Sequence, residues 1–274
     1  MKNRPISKLI KQLKGVDISN YDVSFIEKSL QRRMTETKCE SETEYSTFIE
    51  QNEKEASLYL ESLSVGYSEF FRNSLSFAVL EKIVLNNILL KKSKSKRKEI
   101  RIWSAACSKG QEPYSLAILL KEIKAIGGED INFRIFATDS NEAVVNEARM
   151  GVFRADELEN LTGRRVKQWF IKNKDSYTVK PELKENIEFS VFDLANKEHA
   201  APQSSIFGDF DLVVCANLLF YYKPAFRSKM IDKVTQTLSK EGYLMTSETE
   251  RNLLLDEYFE EVYPQSALFR ATNH

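Results

Sequence analysis

Glu112 stands where a nucleotide-binding turn would not want an acid. The stretch "RIWSAACSKGQEPYSLAILL", Arg101 to Leu120, passes from an apolar strand through small residues and a lone Gly110 into a helical pattern. A pyrophosphate site there needs several glycines and helix-start amides left free for the anion. A carboxylate in a first helical turn suits the helix dipole and repels phosphate. The turn therefore suits a nucleoside-like ligand that lacks phosphate and carries a cation, although Glu112 alone is equally an acid that complements the dipole. One βα unit later "ATDS" ends a strand in Asp139, placed to accept from the vicinal hydroxyls of a ribose or to cap the next helix. The two acids together point to S-adenosylmethionine, whose sulfonium and ammonium are both positive.

Two more strand ends carry polar groups. Asp193 in "FSVFDL" can accept from an adenine amino group, and "CANLLFYY" presents Asn217 and Tyr221. Asn217 alone is equally a turn residue and Tyr221 a core ring beside Phe220 and Tyr222, but polar strand ends converging on one cleft favour a binding site.

Such convergence requires a particular sheet. From Ile100 onward the apolar patterns alternate: "IRIWSAA" strand, "EPYSLAILLKEI" helix, "NFRIFATD" strand, "NEAVVNEARMG" helix, then strands "NIEFSVFD" and "DFDLVVCAN", helix "FRSKMIDKVTQTL" and strand "GYLMTSE". Alternation implies parallel pairing with right-handed crossovers, hence an α/β doubly wound sheet whose ligand lies beyond the carboxyl ends of the strands. The first sixty or so residues read differently. Ile6, Leu9, Ile10 and Leu13 fall at helical spacing before Gly15; Tyr21, Phe25, Ile26 and Leu30 lead into Arg32 and Arg33; Ser41 with Glu44 forms a capping box; a fourth helical pattern covers Ala56 to Leu63. A helical pattern from Phe77 to Leu90 precedes "KKSKSKRK", Lys91 to Lys98, which reads as a solvated loop, with an acidic partner surface as the lesser alternative.

Composition narrows the classes. Across 274 residues forty Lys and Arg balance forty Asp and Glu, so no global field recruits nucleic acid. Cys39, Cys107 and Cys215 lie far apart, with His199 and His274 the only histidines, so free buried thiols are expected and no metal site. No apolar run is long enough to span a bilayer, and Met1 to Leu13 carries charge at helical spacing instead of a signal peptide, so membrane insertion is not expected and a cytoplasmic setting is.

The quoted segments also resemble the CheR family of chemotaxis receptor methyltransferases: "WSAACSKGQEPYSLAI", "FATDSNEAVVNEARMGVF", "FDLVVCANLLFYY", "GYLMTSETE", and "YSEFFRN", Tyr67 to Asn73, just before the catalytic domain. The resemblance covers nearly the whole chain, including "SLQRRM" in the helical part. It implies a class I S-adenosylmethionine-dependent fold with an N-terminal helical domain (1–64), a methyltransferase domain (65–274) and a small β-subdomain inserted at about 157–188. Cofactor contacts carry over onto Ser68, Arg72, Ala106, Glu112 and Asp139, and onto Asp193, Leu194, Ala216 and Asn217, with Arg72 and Tyr221 near the transferring methyl. Departures are Ala216 where the family commonly has Arg, Gly66 where a polar side chain is frequent, and Gln111 for the first acid of a Glu-Glu pair.

The implied activity is methyl-ester formation on glutamate side chains of chemoreceptor cytoplasmic helices, leaving S-adenosylhomocysteine, by a monomer. A glutamate is already ionised at neutral pH, its reference pKa being about 4.3, so positioning suffices. Arg72 offers a planar fork to the cofactor's or the substrate's carboxylate, Tyr221 orients and shields, and Arg32 and Arg33, with Lys11 and Lys14, are candidates for docking the receptor. A class I methyltransferase for another protein or a small substrate remains open, as does a non-catalytic module binding the cofactor or its spent product.

Overall fold

The computed structural model describes residues 5–63, 67–127, 132–196, 199–205, 208–255 and 259–272. The chain divides by packing into two compact units, Met1–Val65 with Phe220–Lys229, and Gly66–Leu219 with Met230–His274.

The first unit is helical for the reasons its sequence gives. Helix α1 (Ile6–Lys14) buries Ile6, Leu9 and Ile10 and stops at Gly15, whose φ of 71° a side chain would resist. Asp22 caps α2 (Val23–Thr37). Ser41 caps α3 (Glu42–Gln51) by accepting from Glu44 N at 3.2 Å, while the Glu44 carboxylate reaches back to Glu40 N at 2.8 Å, one residue earlier than a capping box prescribes. With α4 (Glu53–Ser62) these helices enclose Leu9, Ile10, Tyr45, Ile49 and Tyr59. Residues 220–229 complete the unit: Tyr222 stacks on Tyr21 at 4.5 Å, Tyr221 packs against Phe25 at 4.5 Å, and Tyr221 O accepts from Asp22 N at 2.8 Å.

The two arginines expected to dock the receptor differ in their surroundings. The Arg33 guanidinium turns inward, its Nε and Nη2 lying 2.9 and 2.7 Å from the two oxygens of Glu55, and Tyr45 Oη donates to the same carboxylate at 2.7 Å. The Glu55 side chain is 4% exposed, and a carboxylate so enclosed demands a cation. Arg32 remains exposed, donating to Ser62 O at 2.6 Å, and Lys11 and Lys14 pair with Asp17 and Glu53.

The second unit opens with α5 (Ser74–Val79), which passes through a π-helical turn at Leu80–Val84 into α6 (Leu85–Ser93). Then follow β1 (Glu99–Ala105), α7 (Gln111–Gly127), β2 (Asn132–Asp139), α8 (Glu142–Met150), β3 (Val152–Arg154), α9 (Gly163–Trp169), β4 (Phe170–Asn173), β5 (Ser176–Val179), α10 (Pro181–Lys184), β6 (Ile187–Val191), β7 (Phe210–Val214), α11 (Pro224–Gln236, its residues from Met230 onward), β8 (Leu238–Met245), β9 (Phe259–Glu261) and β10 (Leu268–Ala271). The large sheet runs β6-β2-β1-β7-β8-β10-β9 and is parallel from β6 to β8, as the alternating pattern requires. The antiparallel edge of β10 and β9 is new. The strand order reverses between β1 and β7, which sets the ligand crevice at the carboxyl ends of those strands.

The inserted subdomain is a three-stranded antiparallel sheet, β3-β5-β4, and it begins with Val152–Arg154, ahead of the expected start. Phe153 and Phe170 from this sheet pack edge-on against Phe70 at 5.0 and 5.6 Å.

The basic run is more than a solvated loop. Helix α6 extends into it, Lys92 Nζ lies 2.9 Å from Asp211 Oδ1 with both side chains buried, and Arg97 bridges Glu99 and Asp209. Lys91 and Lys94, with Asp211, Glu241 and Arg270, border a cavity of about 360 Å³ near the amino ends of β7 and β8, away from the crevice.

Removing Arg33 would leave the Glu55 charge enclosed without its cation. In urea denaturation Arg33→Ala should lose about 3 kcal/mol, and Arg32→Ala, at an exposed site, no more than about 0.5 kcal/mol.

Candidate functional site

The turn after β1 makes do with one glycine by bending other residues into a glycine-like conformation. Ala106 has φ 83° and Ser108 φ 49°, as well as Gly110 at φ 93°. Left-handed conformations cost an L-residue about 1–2 kcal/mol each, so the surroundings must hold them. Ala106 N and Cys107 N both donate to Thr138 O at 2.8 Å, and Ser108 N donates to Asp139 Oδ2 at 3.0 Å. Gly110 is required twice over, since a Cβ there would also meet Ala148 Cβ at 3.1 Å.

Asp139 joins the first two strand ends. Its other oxygen accepts from Asn141 N at 3.1 Å, while the cap of α8 belongs to Asn141, which accepts from Ala143 N and Val144 N. The helix therefore does not depend on Asp139 for its cap. Burial pushes the Asp139 carboxyl above its ordinary value, and the charge of Asp193 adds to this against the backbone donors.

Glu112, in the first turn of α7, accepts from Ser104 Oγ at 2.6 Å. The residue is half-buried, yet its carboxyl is shielded well enough that desolvation lifts its pKa to about 7; the Ser104 hydrogen bond and the positive charge of Arg72 oppose the rise, and Glu250 adds to it. Beside it Ser108 Oγ and Gln111 Oε1 are buried with no hydrogen-bond partner. A desolvated acid beside two buried polar atoms without partners is an arrangement that a hydrogen-bonding ligand would complete.

Arg72 arrives on a segment anchored on both sides. Phe70 is buried among the subdomain rings. Phe71, at φ 51°, donates its N–H to Ser115 Oγ at 3.1 Å and carries the Arg165 guanidinium over its ring at 4.3 Å; that guanidinium is in turn gripped by Glu122. Arg72 itself is exposed, lying over the Tyr67 ring, and its charge is felt at Glu112. Ser68 is half-buried in the same segment.

Past β6, exposed Asp193 accepts from Ala195 N at 2.8 Å, and buried Leu194 is held by Lys233, which donates to Leu194 O at 3.2 Å. Past β7, Ala216 packs on the core, and Asn217 at φ 59° donates its N–H to Glu250 Oε2 at 2.8 Å. Glu250 is the residue that reading the strand ends missed; the only sequence signal was an acid soon after a buried strand, in "TSETE". Tyr221 groups with the first unit, as do Arg32 and Arg33. Cys107 and Cys215 are free and buried, their thiols pushed up by desolvation, and among the described residues no cluster could hold a metal. Among those residues, too, no helix is long and apolar enough to cross a membrane.

Residues 67–267 match the CheR methyltransferase SAM binding domain, and residues 4–64 the all-alpha domain of the same family. The chain belongs to the CheR methyltransferase family. Its curated relatives include the chemotaxis protein methyltransferases of Borreliella burgdorferi (30% identical over 239 residues, 86% of this chain and 83% of that one) and Escherichia coli (26% over 262 residues, 93% and 86%). That of Listeria innocua is 28% identical over 255 residues, 92% of this chain and 90% of its own. As a CheR methyltransferase the chain uses S-adenosylmethionine, and the turn fits that cofactor: an enclosed acid and orphaned polar atoms stand where a phosphate cradle would be. Of the departures from the family pattern, Ala216 leaves an apolar edge beside Asn217, and Gly66 lies outside the described residues.

A carboxyl raised to about 7 would tie cofactor binding to pH if it receives the cofactor's ammonium. The ammonium would then displace the proton held below that pKa, and S-adenosylmethionine affinity should fall by up to about tenfold per pH unit below pH 7, with proton release. Calorimetry in buffers of different ionisation enthalpy reads both effects, and Glu112→Gln should abolish them. Separately, Ala106→Gly should relieve the turn and raise stability by up to about 1 kcal/mol in thermal unfolding.

Proposed function

We propose that the chain methylates glutamate side-chain carboxylates on the cytoplasmic helices of chemoreceptors, producing glutamate methyl esters and S-adenosylhomocysteine. The observation that carries this reading is Arg72, an exposed guanidinium on a segment anchored through Phe70 and Phe71, whose charge is felt at the carboxyl of Glu112. Such a pairing of charges suits a cationic cofactor on one side and an incoming anionic nucleophile on the other.

In this scheme Glu112 takes the cofactor's ammonium, Asp139 the ribose hydroxyls, Asp193 and Leu194 the adenine, and Ser68, Ala106, Ala216 and Asn217 line the same crevice. S-adenosylmethionine supplies, when bound, a methyl group activated by a positive sulfur. Everything else is positioning. Arg72 orients the substrate carboxylate by a planar fork and strips part of its water, and good alignment is worth roughly 7–11 kcal/mol. No general base is assigned, because the nucleophile, with a reference pKa of about 4.3, needs no proton removed.

Receptor docking falls to exposed Arg32 on α2, since Arg33 is committed to Glu55. With labelled cofactor and a receptor helix fragment, the wild type should give base-labile methyl ester. Arg72→Ala should lower kcat/KM for the fragment about 100-fold or more while the Kd of S-adenosylhomocysteine shifts less than about tenfold, and Arg72→Lys, which lacks the fork, should not restore it. Cofactor binding with no ester on any receptor fragment would contradict the assignment.

A further inference from the structure

Glu250 touches neither cofactor nor substrate in the proposed scheme, though its charge is felt at Glu112, and it is 0% exposed. A carboxylate with so little solvent needs donors, and among the described residues its Oε2 accepts from four: Asn217 N at 2.8 Å, Ser247 Oγ at 2.7 Å, Thr246 Oγ1 at 3.0 Å and Ser247 N at 3.4 Å. Three of these close the loop to which Glu250 belongs. The fourth crosses to Asn217, three residues past the end of β7, where the chain turns left-handed.

That crossing bond is what sets Glu250 apart from a loop-closing acid. The Asn217 N–H would otherwise be an enclosed donor without its acceptor, and the peptide could rotate to find another. Nearby, Cys215 N is tied to Met245 O at 2.9 Å, so the two strand ends are joined at successive points and Asn217 is the last of them.

We propose that Glu250 is a positioning residue for the cofactor: by accepting from the Asn217 N–H it fixes the left-handed turn from which the Asn217 side chain leaves β7, and so sets cofactor affinity without touching cofactor or substrate. This rests on the reading of Asn217 as a cofactor contact.

The test is a cycle of Glu250→Gln, Asn217→Ala and the double variant in the full chain, scored by the Kd of S-adenosylhomocysteine, the KM of the receptor fragment and thermal stability. Glu250→Gln keeps the size of the side chain but weakens a charge-assisted acceptor; it should raise the Kd about tenfold and leave the fragment KM within about twofold. The double variant should bind no more weakly than Asn217→Ala, because the effect travels through that residue. If Glu250→Gln does not fold, Glu250→Asp, which withdraws the carboxylate by one methylene, should show the same Kd increase. Ser247→Ala removes a donor from the loop alone and should lower the melting temperature with the Kd unchanged. A tenfold loss in Asn217→Ala beside a wild-type Kd in Glu250→Gln would overturn the proposal while sparing the reading of Asn217. Losses that multiply in the double variant would overturn the route through Asn217. An unchanged Kd in Asn217→Ala would remove the cofactor contact and the proposal with it.

Discussion

An acid withdrawn from water at the start of α7 is the constraint around which the second unit is arranged. Desolvation penalises the charged form of Glu112, Glu250 adds to the penalty, and only Ser104 and Arg72 resist. An anionic ligand would meet repulsion there, whereas a cation restores what burial removed. The strained turn before it follows from the same choice. Left-handed Ala106 and Ser108 keep the backbone close to the crevice with a single glycine, and Thr138 O and Asp139 hold that shape from the neighbouring strand.

The flanking elements extend this design. The small sheet contributes Phe153 and Phe170 against Phe70, and Arg165 from α9 clamps Phe71, so the segment ending in Arg72 is positioned by a subdomain that comes much later in the sequence. Glu122 on α7 grips Arg165, which closes the chain of contacts back to the helix that begins near Glu112. The segment carrying Arg72 and the acid Glu112 are thus referred to one helix.

Much of this was legible in the sequence because it is local. Alternating strand and helix patterns located the five parallel strands, and with them Asp139 at the end of β2, Asp193 and Asn217 beyond β6 and β7, and Glu112 in the first turn of α7. What escaped depends on distant partners. Nothing near Arg33 announces Glu55, 22 residues away, and its helix position looked like a docking face. Lys92 looked solvated until Asp211 closed over it. Asp139 and Asn141 compete for one cap within three residues, and only backbone direction decides between them. The left-handed Ala106 is invisible because its side chain argues against the conformation that its surroundings impose.

The central claim is that the Glu112 carboxyl recognises the cationic tail of the adenosyl ligand. It is tested most directly by comparing S-adenosylhomocysteine, which bears the ammonium, with 5′-methylthioadenosine, which lacks the amino-acid tail, on wild type and Glu112→Gln. The account predicts a preference for the tailed ligand of about 100-fold in the wild type, falling by about tenfold or more in the variant. An equal preference in both proteins would contradict it.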